Sequence, residues 1–352
     1  WRHSLARCGA GDTVLDALEA AASTRSDPVL PGRIIRAENP PVTVLTPDGT
    51  VRAGLGAVPR PVAGDWVLVG AADPAALVVT EVLPRRTALV RHASGNRTQP
   101  QTLAANMDDV FVTVAADRNV SLAKVERFLA LVWESGATPV LVLTKSDLLA
   151  PGAAGPLLAT AAGIAPGAEV CLVSAVTGDG IDALHVRIGA GRTAALIGSS
   201  GAGKSSLLNA LAGAEVAVTS QVRGADGKGR HTTAWRELVV LDGGAIIDTP
   251  GLRGLGLWLD QGGLDAAFAD VAELALSCRF SDCAHDTEPG CAVIAAIEAG
   301  TLEARRLASY RKLGREAAYV ARKHDPRAAR AQSRQWAALA RQSMGQVRPR
   351  SR

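Results

Sequence analysis

Eight residues just past the middle of the chain restrict its fold more than any others. Gly198-Ser199-Ser200-Gly201-Ala202-Gly203-Lys204-Ser205 follows the apolar run Ala194-Ala195-Leu196-Ile197 and precedes Ser206-Leu207-Leu208-Asn209-Ala210-Leu211, which reads as a helix. The spacing GxxxxGK[ST] between a strand and a helix is the phosphate-loop pattern. Its glycines let consecutive backbone N–H groups converge on one anion, and the positive end of the following helix faces the same point. Gly198 through Ser206 are therefore candidate nucleotide contacts. Lys204 is placed to neutralise the β- and γ-phosphates, and the Ser205 hydroxyl to face Mg²⁺, a hard cation that takes oxygen ligands.

The flanking sequence supplies the sheet that such a loop needs. Apolar runs at 110–115, 140–143, 170–173, 194–197 and 245–247 alternate with helix-like stretches at 122–134, 181–188 and 204–211. Buried parallel strands read as continuous apolar runs, so a doubly wound sheet is predicted, with its ligand loops at the carboxyl edge. Two of those loops carry base-reading chemistry: Thr144-Lys145-Ser146-Asp147 and, one unit later, Ser174-Ala175. A carboxylate at Asp147 can accept from the N1–H and the exocyclic amine of guanine, and adenine offers neither donor in that geometry. Lys145 would lie along the base and brace the phosphate loop, and the Ala175 N–H would meet the guanine oxygen. Asp248-Thr249-Pro250-Gly251 fits the Asp-x-x-Gly loop, with Asp248 on Mg²⁺ and the Gly251 N–H on the γ-phosphate. Thr232 and Thr233 lie in the polar segment 224–233, as in a switch that closes over Mg²⁺ and phosphate, and Thr233 joins Ser205 and Asp248 as a Mg²⁺ candidate. Leu252 stands where a water-orienting Gln is often found, and leucine cannot hold a water. Slow unassisted hydrolysis follows, with His231 the nearest group to orient or deprotonate the water.

The remaining segments add three further expectations. From 29 to 86, short β-prone runs separated by Pro, Gly and Asp predict a small barrel, OB-like or SH3-like, with Trp66 in its core. Residues 87–108 read as a polar connector, and residues 1–28, Ala-rich with no clear period, as a flexible arm. Cys278, Cys283, His285 and Cys291 put three thiolates and an imidazole within 14 residues, a tetrahedral zinc set with no position left for catalysis. The other two cysteines, Cys8 and Cys171, stand alone. No run approaches the ~20 uncharged apolar residues of a membrane span, and the first residues lack a signal-peptide core, so a cytoplasmic protein is expected. The net charge of +4 divides into +11 for residues 301–352, with 14 Lys and Arg against 3 acids, and −7 for the rest. A basic tail on an acidic body suits a polyanion such as RNA, or else forms a solvated helical face.

Taken in order, these motifs resemble the five GTPase motifs, but the guanine-reading pair precedes the phosphate loop, as in circularly permuted GTPases. Together with Gln99-Pro100-Gln101, Ala104-Ala105-Asn106, Gly229-Arg230-His231-Thr232-Thr233 and the Cys278–Cys291 cluster, the chain resembles the RsgA (YjeQ) family of small-subunit-dependent GTPases over residues 29–323. The resemblance implies a multidomain α/β protein: an N-terminal OB-fold β-barrel (29–90), a circularly permuted P-loop GTPase domain (91–258), a C-terminal zinc-binding helical domain (259–325) and a basic tail (326–352). It implies GTP/GDP, Mg²⁺ and one structural Zn²⁺ as ligands. It further implies a monomer that binds the 30S subunit and its 16S rRNA late in assembly, with stimulated hydrolysis followed by release. His231 matches the family's proposed catalytic histidine, whereas Thr144 replaces the usual Asn and puts one hydrogen bond to the base in question. Two other readings are a GTP-dependent switch acting on a protein partner, and an RNA-binding protein with an inactive nucleotide site.

Overall fold

The computed structural model describes residues 1–37, 39–73, 76–92, 100–117, 120–217, 236–249 and 261–324. The chain begins with a helical hairpin, α1 (Arg2–Ala6) and α2 (Asp12–Ser23). Arg2 clasps its two helices by pairing with Asp16 and Glu19, each at 2.7 Å. Leu5, Val14, Leu15 and Leu18 are buried against Trp66, Leu68 and Leu83. The expectation of a flexible arm over 1–28 is therefore corrected. Six alanines among these residues dilute the apolar pattern, yet Val14, Leu15 and Leu18 fall on one helix face and the barrel supplies the surface they bury.

Five strands follow: β1 (Val29–Arg36), β2 (Val42–Thr46), β3 (Gly49–Leu55), β4 (Trp66–Asp73) and β5 (Ala76–Val82). They close in the order β1-β2-β3-β5-β4, with β3 and β5 parallel and the remaining pairs antiparallel. This is the five-stranded OB-like arrangement. Alternating Ile34, Val42, Val44, Ala53, Val67, Val69 and Val79 fill its interior. Trp66 is 2% exposed, on the side of the barrel that faces the hairpin. The guanidinium of Arg33 lies 4.4 Å from its ring centroid. Arg33 is fully buried and donates to the carbonyls of Cys8, Gly64 and Asn106, so one side chain joins hairpin, barrel and the segment that follows. Burial pulls this guanidinium below its ordinary pKa; three carbonyls and an aromatic face take the place of water.

The expected connector is an antiparallel ribbon, β6 (Ala88–His92) with β7 (Pro100–Ala105). Beyond it come β8 (Asp109–Ala115), α3 (Leu122–Glu134), β9 (Thr138–Thr144), α4 (Ala154–Ile164), β10 (Glu169–Leu172), α5 (Ile181–Ile188), β11 (Thr193–Gly198), α6 (Lys204–Ala212), β12 (Glu237–Val240) and β13 (Ala245–Asp248). They build one sheet in the order β10-β9-β8-β11-β13-β12, parallel except for the edge strand β12. Each face carries its own core. Phe128, Leu129 and Val132 of α3 cover one, and Leu184, Leu207, Leu208 and Leu211 of α5 and α6 cover the other.

Four helices complete the described chain: α7 (Gln261–Ala267), α8 (Ala269–Ala275), α9 (Ala292–Glu298) and α10 (Ala304–His324). Apolar residues of this segment, Phe268, Val271, Val293, Leu302, Leu307 and Leu313, join the α3 core directly. At that junction the fully buried Glu126 accepts from Arg306 at 3.0 Å and from Arg305 at 2.8 Å, and Arg306 also pairs with Asp270. The small Cys/His segment is thus anchored on the doubly wound sheet. Replacing Leu18 with Ala tests the hairpin: a cavity at this fully buried site is expected to cost about 2–5 kcal/mol in urea unfolding, whereas a mobile arm would show no change.

Candidate nucleotide site and metal centre

Strand β11 runs down the middle of the sheet and delivers residues 198–203 to its carboxyl edge, where α6 begins at Lys204. Gly198 has φ +151, and a Cβ there would lie 2.3 Å from Thr113 Oγ1 and 2.4 Å from Thr113 O. No side chain fits between the loop and β8, so the first glycine of the motif is a packing requirement as well as a conformational one. Thr113 Oγ1 donates to Ile197 O at 2.7 Å, and Thr249 Oγ1 donates to Leu196 O. Lys204 Nζ donates to Gly198 O at 3.0 Å and Ser199 O at 3.1 Å, closing the loop upon itself. Burial lowers the pKa of this ammonium, and the charge of Asp248 opposes the shift. Ser205 is half-buried in the first turn of α6, and Ser206 beside it is exposed.

Asp248 ends β13, in register with Leu196 of β11 on one side and Glu237 of β12 on the other. It is 5% exposed, and its Oδ1 has no hydrogen-bond partner among the described residues. Burial raises its pKa, against the pull of Lys204, and Glu237 adds to the rise. A buried, unsatisfied carboxylate oxygen close to the phosphate-loop lysine is suited to a hard cation, so the residues present fit Mg²⁺.

The two loops expected to read the base interlock. Ser174 Oγ donates to Asp147 Oδ1 at 2.6 Å and accepts from the N–H groups of Val176 and Thr177, each at 3.1 Å. Ser174 is fully buried while Asp147, in the 3-10 turn Ser146–Leu148, is exposed, and Ala175 follows at an intermediate position. Two side chains point elsewhere than the sequence suggested. Thr144 turns its hydroxyl to Ala202 O at 2.7 Å, toward the phosphate loop. Lys145, in the left-handed region at φ +62, pairs with Asp117 at 3.2 Å. It is therefore Thr144, not Lys145, that hydrogen-bonds the loop. Asp117 and Thr113 were missed by motif reading, although Thr113 is the one hydroxyl in the apolar run 110–115. His231, Thr232, Thr233, Gly251 and Leu252 lie outside the described residues, as does the tail at 326–352.

The second centre is built by the loop between α8 and α9. The ligand atoms of Cys278, Cys283, His285 and Cys291 all lie within 4.8 Å of one another. Cys278 Sγ and Cys291 Sγ are 3.9 Å apart, and each is 3.5 Å from His285 Nδ1. A tetrahedral zinc, with bonds of about 2.3 Å to sulfur and about 2.0 Å to nitrogen, separates two sulfurs by about 3.8 Å and sulfur from nitrogen by about 3.5 Å. The cluster fits zinc. Burial opposes a thiolate at Cys278, yet hydrogen bonds from the N–H groups of Ala292 and Val293 and from the Cys291 and Cys283 thiols together hold the thiol below its ordinary pKa. Cys291 caps α9 and accepts from Ile294 N–H. His285, at φ +60, has its pKa lowered by burial and by Arg311, which favours the neutral imidazole that binds metals. Arg311 also donates to the carbonyls of Ala284 and His285, and Glu288 accepts from the N–H groups of Ala284, Asp286 and Thr287. Among the described residues no helix is long and apolar enough to cross a membrane.

An OB-like barrel, a doubly wound sheet whose phosphate loop comes after its base-side loops, and a Cys/His cluster define a circularly permuted GTPase, a GTP hydrolase by class. Residues 82–258 match the family model for the RsgA GTPase, and the chain belongs to that family. It is 48% identical over 318 residues to the small ribosomal subunit biogenesis GTPase RsgA of Streptomyces coelicolor, covering 88% of this chain and 86% of that one. The RsgA of Methanosarcina acetivorans is 39% identical over 87% of this chain and 84% of its own. The crystal structure of YjeQ from Thermotoga maritima superposes with a TM-score of 0.62 at 26% identity, covering 82% of this chain and 99% of that one. YloQ, a circularly permuted GTPase, shares the fold with a TM-score of 0.59.

The Gly198 contact generates a paired expectation. Gly198→Ala must displace Thr113 backbone and should cost at least about 2–3 kcal/mol, read as a drop in melting temperature. Gly152→Ala, also at positive φ but with nothing within 4 Å, carries only backbone strain of about 1 kcal/mol. Equal losses in the two variants would show that the approach to Thr113 is not tight.

Proposed function

We propose that this chain is a GTPase of small ribosomal subunit assembly: it binds the 30S subunit in the cytoplasm as a monomer, hydrolyses GTP to GDP and phosphate when the subunit stimulates it, and then dissociates. The observation that carries this reading is the extent of its likeness to proteins named for that role, which spans most of the chain. The basic stretch from 301 onward supports contact with 16S rRNA, since binding a nucleic-acid backbone releases counterions and needs positive charge.

Within the site, the N–H groups of 198–203 and the ammonium of Lys204 hold the phosphates. Nucleotide has to displace the Lys204 ammonium from the Gly198 and Ser199 carbonyls that it now touches. Ser205, Thr233 and Asp248 hold Mg²⁺, which when bound neutralises charge on the β- and γ-phosphates. Asp147 selects guanine, and Ser174 fixes its carboxylate so that the loop need not reorganise to meet the base. Ala175 offers its N–H to the guanine oxygen, Gly251 senses the γ-phosphate, and His231 orients the attacking water when the subunit is bound. The Cys278, Cys283, His285 and Cys291 set holds one structural zinc.

Purified small subunits are expected to raise GTP turnover of the full chain at least about tenfold, and His231→Ala to remove most of that gain while GTP still binds. No stimulation by subunits would remove the ribosomal reading, and full stimulation of H231A would remove the histidine from it. Asp147→Asn should exchange guanine for xanthine preference by about 100-fold or more, because an amide donates where the carboxylate accepted. Elemental analysis should find one zinc per chain, lost in Cys283→Ser with a fall in thermal stability; a metal-free chain with unchanged melting would refute the zinc assignment.

A further inference from the structure

Thr144 stands at the end of β9, two residues before the turn that carries Asp147, and is 4% exposed. A threonine hydroxyl has one proton to give. Two carbonyls lie within reach, Val114 O at 3.3 Å and Ala202 O at 2.7 Å, and the shorter contact takes the proton. The next residue of the loop faces the same side chain, with little room for a side chain of its own. Gly203 has φ +83, and a Cβ there would lie 3.1 Å from Thr144 Oγ1. The base-side strand therefore meets the phosphate loop at two consecutive residues, immediately before Lys204.

We propose that Thr144 is a positioning residue: its hydroxyl holds the exit of the phosphate loop against the base-reading strand and takes no part in choosing the base. This rests on the guanine-nucleotide reading above and extends it. The loop is pinned at its entrance by Thr113 on Ile197 O and by Thr249 on Leu196 O, so Thr144 supplies the corresponding tie at the other end. Without that tie the Gly203 amide, which shares a peptide plane with Ala202 O, loses its fixed bearing on the β-phosphate, while Asp147 keeps its own support from Ser174. Base choice and phosphate grip are in this way separated between neighbouring residues of one strand end.

Equilibrium binding of GTP, GDP, GMP and ITP to the full chain in Mg²⁺ tests the assignment. Thr144→Val keeps the shape and removes the donor. It is expected to weaken GTP and GDP together by about 5- to 10-fold, as when a buried acceptor loses its partner. The GTP:ITP ratio, which reports the exocyclic amine, should stay constant, and GMP, with no β-phosphate for the loop to hold, should weaken less than GDP. Thr144→Ser should restore GDP binding to within about twofold. A changed GTP:ITP ratio, equal losses for GMP and GDP, or unaltered GDP affinity in T144V each overturns the proposal. Thr144→Ala, the second hydroxyl-free variant, is judged by the same criteria if T144V does not fold. Failure of the underlying reading looks different, because the unmutated chain would then bind ATP as well as GTP.

Discussion

The phosphate loop can grip an anion only if its backbone amides already face inward, and in this chain that bearing comes from buried hydroxyls. Thr113, Thr144 and Thr249 reach from three different strand ends to carbonyls of 196, 197 and 202. A carbonyl that accepts from a buried hydroxyl is held on one side of its peptide plane, so the amide of the same plane is held on the other. The sheet order follows from the same need. β8, β9 and β13 must lie around β11 for their ends to arrive at the loop, and they do so through parallel pairing in register. Because the site consists of strand ends, the chain can be opened at another loop without disturbing it. That is why a permuted order of motifs is physically inexpensive.

The helices beyond the sheet obey a different constraint. The Cys/His loop and its flanking helices contain too few apolar residues to close a core by themselves, and Phe268, Val271, Val293 and Leu307 are buried by joining the α3 face. Glu126, Arg305, Arg306 and Asp270 fix the junction in one geometry, with Arg306 also stacked 4.3 Å from the Phe268 ring. Removing such charges from water is costly unless every partner is present, so the network favours one seating over a sliding apolar contact.

Much of this was legible in the residues. The strands of the sheet announce themselves as apolar runs, and the loops between them carry side-chain types whose chemistry has few other uses at that spacing. The N-terminal hairpin was not legible, because alanines mask its stripe and its burial depends on a barrel surface dozens of residues away. Nor were α4, an Ala- and Gly-rich segment with little amphipathic contrast, and β12, four residues long and, among the described residues, paired only along one side. In the site, motif position suggested what Thr144 and Lys145 could reach, but rotamer and local backbone decide what they do reach. Lys145 at φ +62 aims at Asp117, and Arg33 was invisible altogether, since nothing in its sequence neighbours marks an arginine that will be wholly enclosed.

The edge of the GTPase sheet shows what the barrel contributes beyond any ligand of its own. An open strand edge is a template for adding foreign strands. Among the described residues β12 pairs only with β13, antiparallel, and Arg36 of β1 pairs with Glu237 at its first residue. The barrel therefore acts as a doorstop against runaway strand addition. Its position there also sets Arg36 of the barrel on Glu237, the residue that stands opposite Asp248 in the β12–β13 ladder, so the barrel and the buried carboxylate share one short strand.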